Sequence, residues 1–77
     1  MELLKKYNNK TITSKLSGKF VRFTSDCSFF PNFDVKGKVM KCEYSKSGNL
    51  VFNVKIKSGK YITVDSNMHN LKFEVLS

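Results

Sequence analysis

The sequence predicts a small, mostly β domain of five strands. Three observations carry this expectation. Apolar and polar residues alternate with a period of two over most of the chain after Leu16, Gly- and Ser-bearing turns separate these runs at short intervals, and 77 residues suffice for one domain only. Apolar residues make up 40% of the chain and aromatics 13%. That is enough to build one compact core and unlike the composition of a disordered segment.

Residues 1–16 form an N-terminal segment, helical or extended, that packs on the domain of residues 17–77. Leu3, Leu4 and Tyr7 suit one or two helical turns, Asn8-Asn9 reads as their end, and Thr11-Ile12-Thr13 reads as extended. Leu3, Leu4, Ile12 and Leu16 are placed across one open end of the domain. Ser17-Gly18 is a turn, and Lys19 to Thr24 is the first strand, with Phe20 and Arg22 on one face and Val21 and Phe23 on the other. Core packing is the expectation for Phe20, Phe23, Phe52 and Phe73. Residues 24–34 hold Ser, Asp, Asn and the lone proline, Pro31, and read as a loop carrying Phe29, Phe30 and Phe33.

Val35 to Tyr44 is the second strand. Strict alternation sets Lys36 and Lys38 on one face with Met40, Cys42 and Tyr44, and Lys41 and Glu43 on the other with Val39. A bulge at Gly37 would switch the faces. Residues 45–49 form a hairpin loop, and Leu50 to Lys57 is the third strand, with Leu50, Phe52, Val54 and Ile56 inward. Ser58-Gly59 turns into the fourth strand, Lys60 to Val64. Asp65-Ser66-Asn67 offers a cap, residues 67–70 suit a 3₁₀ turn, and Leu71 to Leu76 is the last strand, with Leu71, Phe73 and Val75 inward.

Five strands, a long first loop, tight hairpins and a helical turn before the last strand together resemble an SH3-like barrel. Phe20-Val21-Arg22-Phe23 followed by Gly37-Lys38-Val39 resembles the start of KOW-type modules, with a longer loop than in that pattern. The chain has no tryptophan and lacks the acidic first loop of proline-binding SH3 domains, which argues against Pro-rich ligands. The short, Lys- and Asn-rich character is similar to small early proteins of tailed bacteriophages. The fold class leaves function open, since such barrels bind peptides, proteins, RNA and DNA.

Charge is the main functional signal. Fourteen basic residues, thirteen of them Lys, stand against six acids, a net charge of +8. Residues 1–24 carry +5 and residues 36–60 carry +6, while residues 25–35 between them carry −2. A field of this kind favours polyanions. The sequence has no catalytic constellation: His69 is the single histidine, nothing sets Cys27 or Cys42 beside it, and the acids are scattered. No cofactor motif and no four-ligand metal set is present. No apolar stretch reaches membrane-span length and Met1 to Tyr7 is no signal peptide, which predicts free thiols in a cytoplasm, that of a bacterial host if the chain is phage-encoded.

Three functions fit these residues. The first is a nucleic-acid-binding module for RNA or single-stranded DNA with low sequence specificity. It would use Lys36, Lys38, Lys41, Lys46, Lys55, Lys57 and Lys60 along the sheet, Arg22 as the one bidentate reader, and Tyr44 and Tyr61 as stacking rings. Lys41 is placed near Lys55, with Lys46 and the pair Lys57 and Lys60 at opposite hairpin ends. The second is an inhibitor or adaptor that inserts Phe29, Phe30 and Phe33 into a host nucleic-acid enzyme or defence factor. The third is self-association of a monomer into a weak homodimer through the Phe-rich loop or a sheet edge.

Overall fold

The computed structural model describes residues 1–26 and 32–77. Cys27, Phe29, Phe30 and Pro31 lie outside the described residues. The fold is mostly β, with one short helix. Strand β1 is Glu2–Leu3, followed by a 3₁₀ turn over Leu4–Lys6 and helix α1 over Asn9–Leu16. Five longer strands follow: β2 Phe20–Ser25, β3 Phe33–Tyr44, β4 Leu50–Lys55, β5 Tyr61–Asp65 and β6 Lys72–Val75. They form one antiparallel sheet in the order β1-β6-β2-β3-β4-β5.

The N-terminal segment reverses the expectation. Asn8-Asn9 begins the helix rather than ending one, because the Asn8 side chain accepts a hydrogen bond from the Thr11 amide at 2.8 Å. The residues of α1, Asn-Lys-Thr-Ile-Thr-Ser-Lys-Leu, are mostly indifferent helix formers. Burial decides the matter: Ile12 and Leu16, one helical turn apart, are both fully buried. Lys15 in the last turn favours the negative end of the helix dipole. Replacing Asn8 with alanine is expected to cost about 1 kcal/mol, which lowers the melting temperature of a domain of this size by about 4–8 °C. A melt unchanged from wild type would show that the cap contributes nothing beyond the burial of Ile12 and Leu16.

Strand β3 organises the sheet. Its first half pairs with β2, from Ser25↔Phe33 to Phe20↔Lys38, and its second half pairs with β4, from Lys38↔Lys55 to Tyr44↔Leu50. The register slips between Val39 and Lys41, so the bulge lies at Met40 and not at Gly37. The faces do switch, but at Met40, so Lys36 and Lys38 stay on one face. Val35, Gly37 and Val39 are buried before the bulge, and Cys42 packs against the core after it. Gly37 is needed for a different reason: a Cβ there would sit 2.5 Å from the Lys55 carbonyl oxygen and 2.7 Å from Val54 Cγ1.

The bend coils the sheet. β2 and β4 are second neighbours, about 10 Å apart in a flat sheet, yet Phe23 and Phe52 stack with ring centroids 5.5 Å apart. Phe23, Phe52 and Phe73 form the centre of the core, with Val21, Val39, Leu50, Val54, Val64 and Leu71 around them. Leu4, Ile12 and Leu16 join the same cluster, so the N-terminal segment shares the core. Tyr7 packs edge-on against Phe73, and its hydroxyl donates to Glu2.

Other expectations change in detail. The hairpin turns after Tyr44 and Lys57 are present, with Gly48 and Gly59 at φ of 85° and 89°. Before β6 the chain makes two successive turns, closed by Met68 N to Asp65 O and Leu71 N to Met68 O, in place of one 3₁₀ turn. Asp65 does cap the first of them, accepting from the Asn67 amide at 2.8 Å. Phe33 opens β3 instead of lying in the loop, and its half-buried ring packs against the core. Val75 shares the inward face of β6 but is 44% exposed, because the core ends at Phe73. Phe20 is not in the core at all; half of it is exposed.

Candidate functional site

The outer face of the sheet is set by the same alternation that builds the core. On β2, Val21, Phe23 and Ser25 point inward, so Phe20 and Arg22 point out. On the first half of β3, Lys36 and Lys38 are exposed between buried Val35, Gly37 and Val39. On β4, Lys55 follows buried Val54. Pairing then brings these residues together. Phe20 lies opposite Lys38, Lys38 opposite Lys55, and Lys55 opposite Tyr61. Beyond β6, the Leu76 amide donates to the Phe20 carbonyl at 2.7 Å. One row thus runs Leu76, Phe20, Lys38, Lys55, Tyr61 across five strands.

A depression of about 520 Å³ is lined by Leu76, Phe20, Lys38 and Lys55 of this row and by their neighbours, a volume within the range of small-ligand sites. Phe20, Ile56 and Leu76 supply its apolar surface, and Gly37 and Gly59 bring backbone close to it. Lys36, Lys38, Lys55 and Lys57 complete the lining, which contains no acid among the described residues. Four lysines and no acid among the described lining residues give this largely apolar depression a positively charged surround.

Of the sequence-predicted residues, the structure gathers Lys36, Lys38, Lys55 and Lys57 at this depression. Tyr61, 61% exposed, continues the row beside Lys55, and Lys60 precedes it, its carbonyl bonded to the Ile56 amide. Lys41 is elsewhere. It opposes Asn53, not Lys55, and its ammonium lies 3.7 Å from Glu43, which also accepts from Asn53. Tyr44 and Lys46 lie at the far hairpin, where Tyr44 opposes Leu50.

Arg22 is committed to an internal partner. Its Nε donates to Asp34 Oδ1 at 2.9 Å and its Nη2 to Oδ2 at 2.6 Å. This bidentate bond raises the guanidinium pKa further and holds the Asp34 carboxyl below the usual carboxylate range. The fork that would read a base edge is therefore already filled. Cys42 is half-buried, and burial pushes its thiol pKa up, opposed by a weaker contact with Ser17 Oγ at 3.8 Å. Partial burial therefore disfavours the thiolate of Cys42, which packs against the core.

Phe20, Ile56 and Leu76 are site residues that sequence reasoning missed. For Phe20 the signal was present. Phe20 and Phe23 stand on opposite faces of one strand, so a single buried face can hold only one of them. Among the described residues no helix is long and apolar enough to cross a membrane. Compared with protein-family models, curated proteins and solved structures, the chain matches none.

Proposed function

We propose that this protein is a small non-enzymatic binding module of the SH3-like type that holds RNA or single-stranded DNA, with low sequence specificity, on the outer face of its sheet. The observation that carries the proposal is the set of four lysines around one apolar depression, with no acid among the described residues of its lining. Lysine is a point charge suited to phosphate, and the one arginine is bound to Asp34, so backbone contact outweighs base readout. The SH3-like assignment is supported by the strand order β6-β2-β3-β4-β5, by a long bent β3 shared between two halves of the sheet, and by the turns that precede β6.

The test is salt dependence. Changing Lys36, Lys38, Lys55 and Lys57 together to glutamine is expected to flatten the log–log salt slope of oligouridylate binding by roughly 3, at about 0.7 for each phosphate no longer neutralised. Changing Lys5, Lys6, Lys10 and Lys72 removes the same charge from other exposed positions and is expected to alter the slope by less than half as much. Equal effects from the two sets would mean that net charge, not this site, binds the polyanion. Wild-type binding that is absent at low salt would overturn the proposal.

A further inference from the structure

Phe20 stands out among the exposed side chains. It is a large ring on a strand whose neighbours Val21 and Phe23 are fully buried, and it is 50% exposed. It is not isolated. Leu76, 46% exposed, follows directly on β6 and its amide donates to the Phe20 carbonyl, half-buried Ile56 lines the same depression, and lysines of β3 and β4 flank it. Contiguous apolar surface rimmed by charge marks a contact site.

We infer that Phe20 is the stacking platform of a single-base subsite, in which one unpaired nucleobase lies on the ring and its flanking phosphates meet Lys38 and Lys55. This rests on the nucleic-acid reading above and specifies it. The register supports the geometry. Lys38 is directly opposite Phe20 and Lys55 directly opposite Lys38, so the Lys38 chain starts about 5 Å from the ring's own strand and the Lys55 chain one strand further on. Lys36 and Lys57 extend the basic rim on either side. A base can cover an aromatic side chain only when its own face is free, so the subsite selects unpaired over duplex nucleic acid. Among the described side chains lining the depression only the lysines carry polar atoms. None of these matches the hydrogen-bonding edge of one base against another, so the subsite accepts any base.

The experiment compares an oligothymidylate of about eight nucleotides, within the usual footprint of small single-strand-binding domains, with an abasic oligomer of equal phosphate number and with a duplex of equal length. Wild-type protein is expected to bind the thymidylate about tenfold more tightly than the abasic strand. Phe20→Ala is expected to erase that difference while leaving abasic binding and its salt slope unchanged, and Phe20→Tyr to keep it. The ring is exposed, so both variants should fold as wild type does, which a thermal melt verifies.

Equal binding of thymidylate and abasic strands by wild-type protein would overturn the subsite and leave the lysine-based reading standing. So would an equal drop in affinity for both strands in Phe20→Ala. Failure of every oligomer to bind at low salt would overturn both readings. Binding of phosphatidylserine vesicles that depends on Phe20, without any base preference, would reassign the ring to a membrane surface.

Discussion

Phe52→Ala is expected to cost about 3–5 kcal/mol of folding stability, the usual range for removing a fully buried aromatic ring. Phe52 has no exposed surface and stacks on Phe23 at 5.5 Å, with 24° between the ring planes. The two rings come from strands that do not pair, so their stacking ties the halves of the coiled sheet together across β3. A domain of this length has a total stability of roughly 4–12 kcal/mol, so the variant is left marginal or unfolded at 37 °C. At about 4–8 °C per kcal/mol the melting temperature falls by at least about 12 °C. Urea titration of wild type and variant measures the difference directly. A change near that of an exposed aromatic, under about 1 kcal/mol, would mean that the rings do not close the core. Phe20→Ala provides the contrast within the same fold, since that ring is half exposed and its removal leaves no cavity.

The difference between these two phenylalanines shows what the sequence could convey. The hairpins after Tyr44 and Lys57 and the inward row Leu50, Phe52 and Val54 were legible because turn chemistry and strict alternation agree there. The N-terminal segment was not. An Asn pair can stop a helix or start one, and the choice depends on Ile12 and Leu16 finding the core, which is a tertiary fact. The second strand was ambiguous because its bulge falls at Met40, a residue with no local signature for one. Without that one-residue slip Lys55 would lie opposite Val39; with it the opposite residue is Lys38, so the slip decides which lysines share a surface. The candidate site was legible as a charge pattern over residues 36–60, and four of its lysines were named from it. Its apolar half, Phe20, Ile56 and Leu76, comes from three strand ends distant in sequence, and only the register assembles them.

Gly37→Ala is expected to cost about 3 kcal/mol, the upper end for forced overpacking. The reason is not backbone conformation. Gly18, Gly48 and Gly59 occupy positive φ with open space where a Cβ would stand, whereas at Gly37 the paired strand β4 comes too close for a Cβ. Of the two obstacles to a methyl group there, Val54 Cγ1 at 2.7 Å could move with its side chain, but the Lys55 carbonyl oxygen at 2.5 Å is backbone within a paired strand. Relief requires β4 to shift away from β3, which disturbs the Lys38↔Lys55 pair and the burial of Val54 together. Trimming Val54 in the same chain should therefore rescue little, because the nearer obstacle remains and a buried side chain is shortened. Gly48→Asn is the control: asparagine tolerates a left-handed backbone and nothing lies nearby, so the change should cost well under about 1 kcal/mol. Chemical denaturation of the three variants checks the ranking. Gly37→Ala that unfolds at the wild-type midpoint would show that β4 yields without penalty. The same shift would carry Lys55, Ile56 and Lys57 away from Phe20 and Lys38, so oligonucleotide binding should weaken in Gly37→Ala even where the protein remains folded. Stability and the outer site thus share one constraint, the close approach of two paired strands at a residue with no side chain.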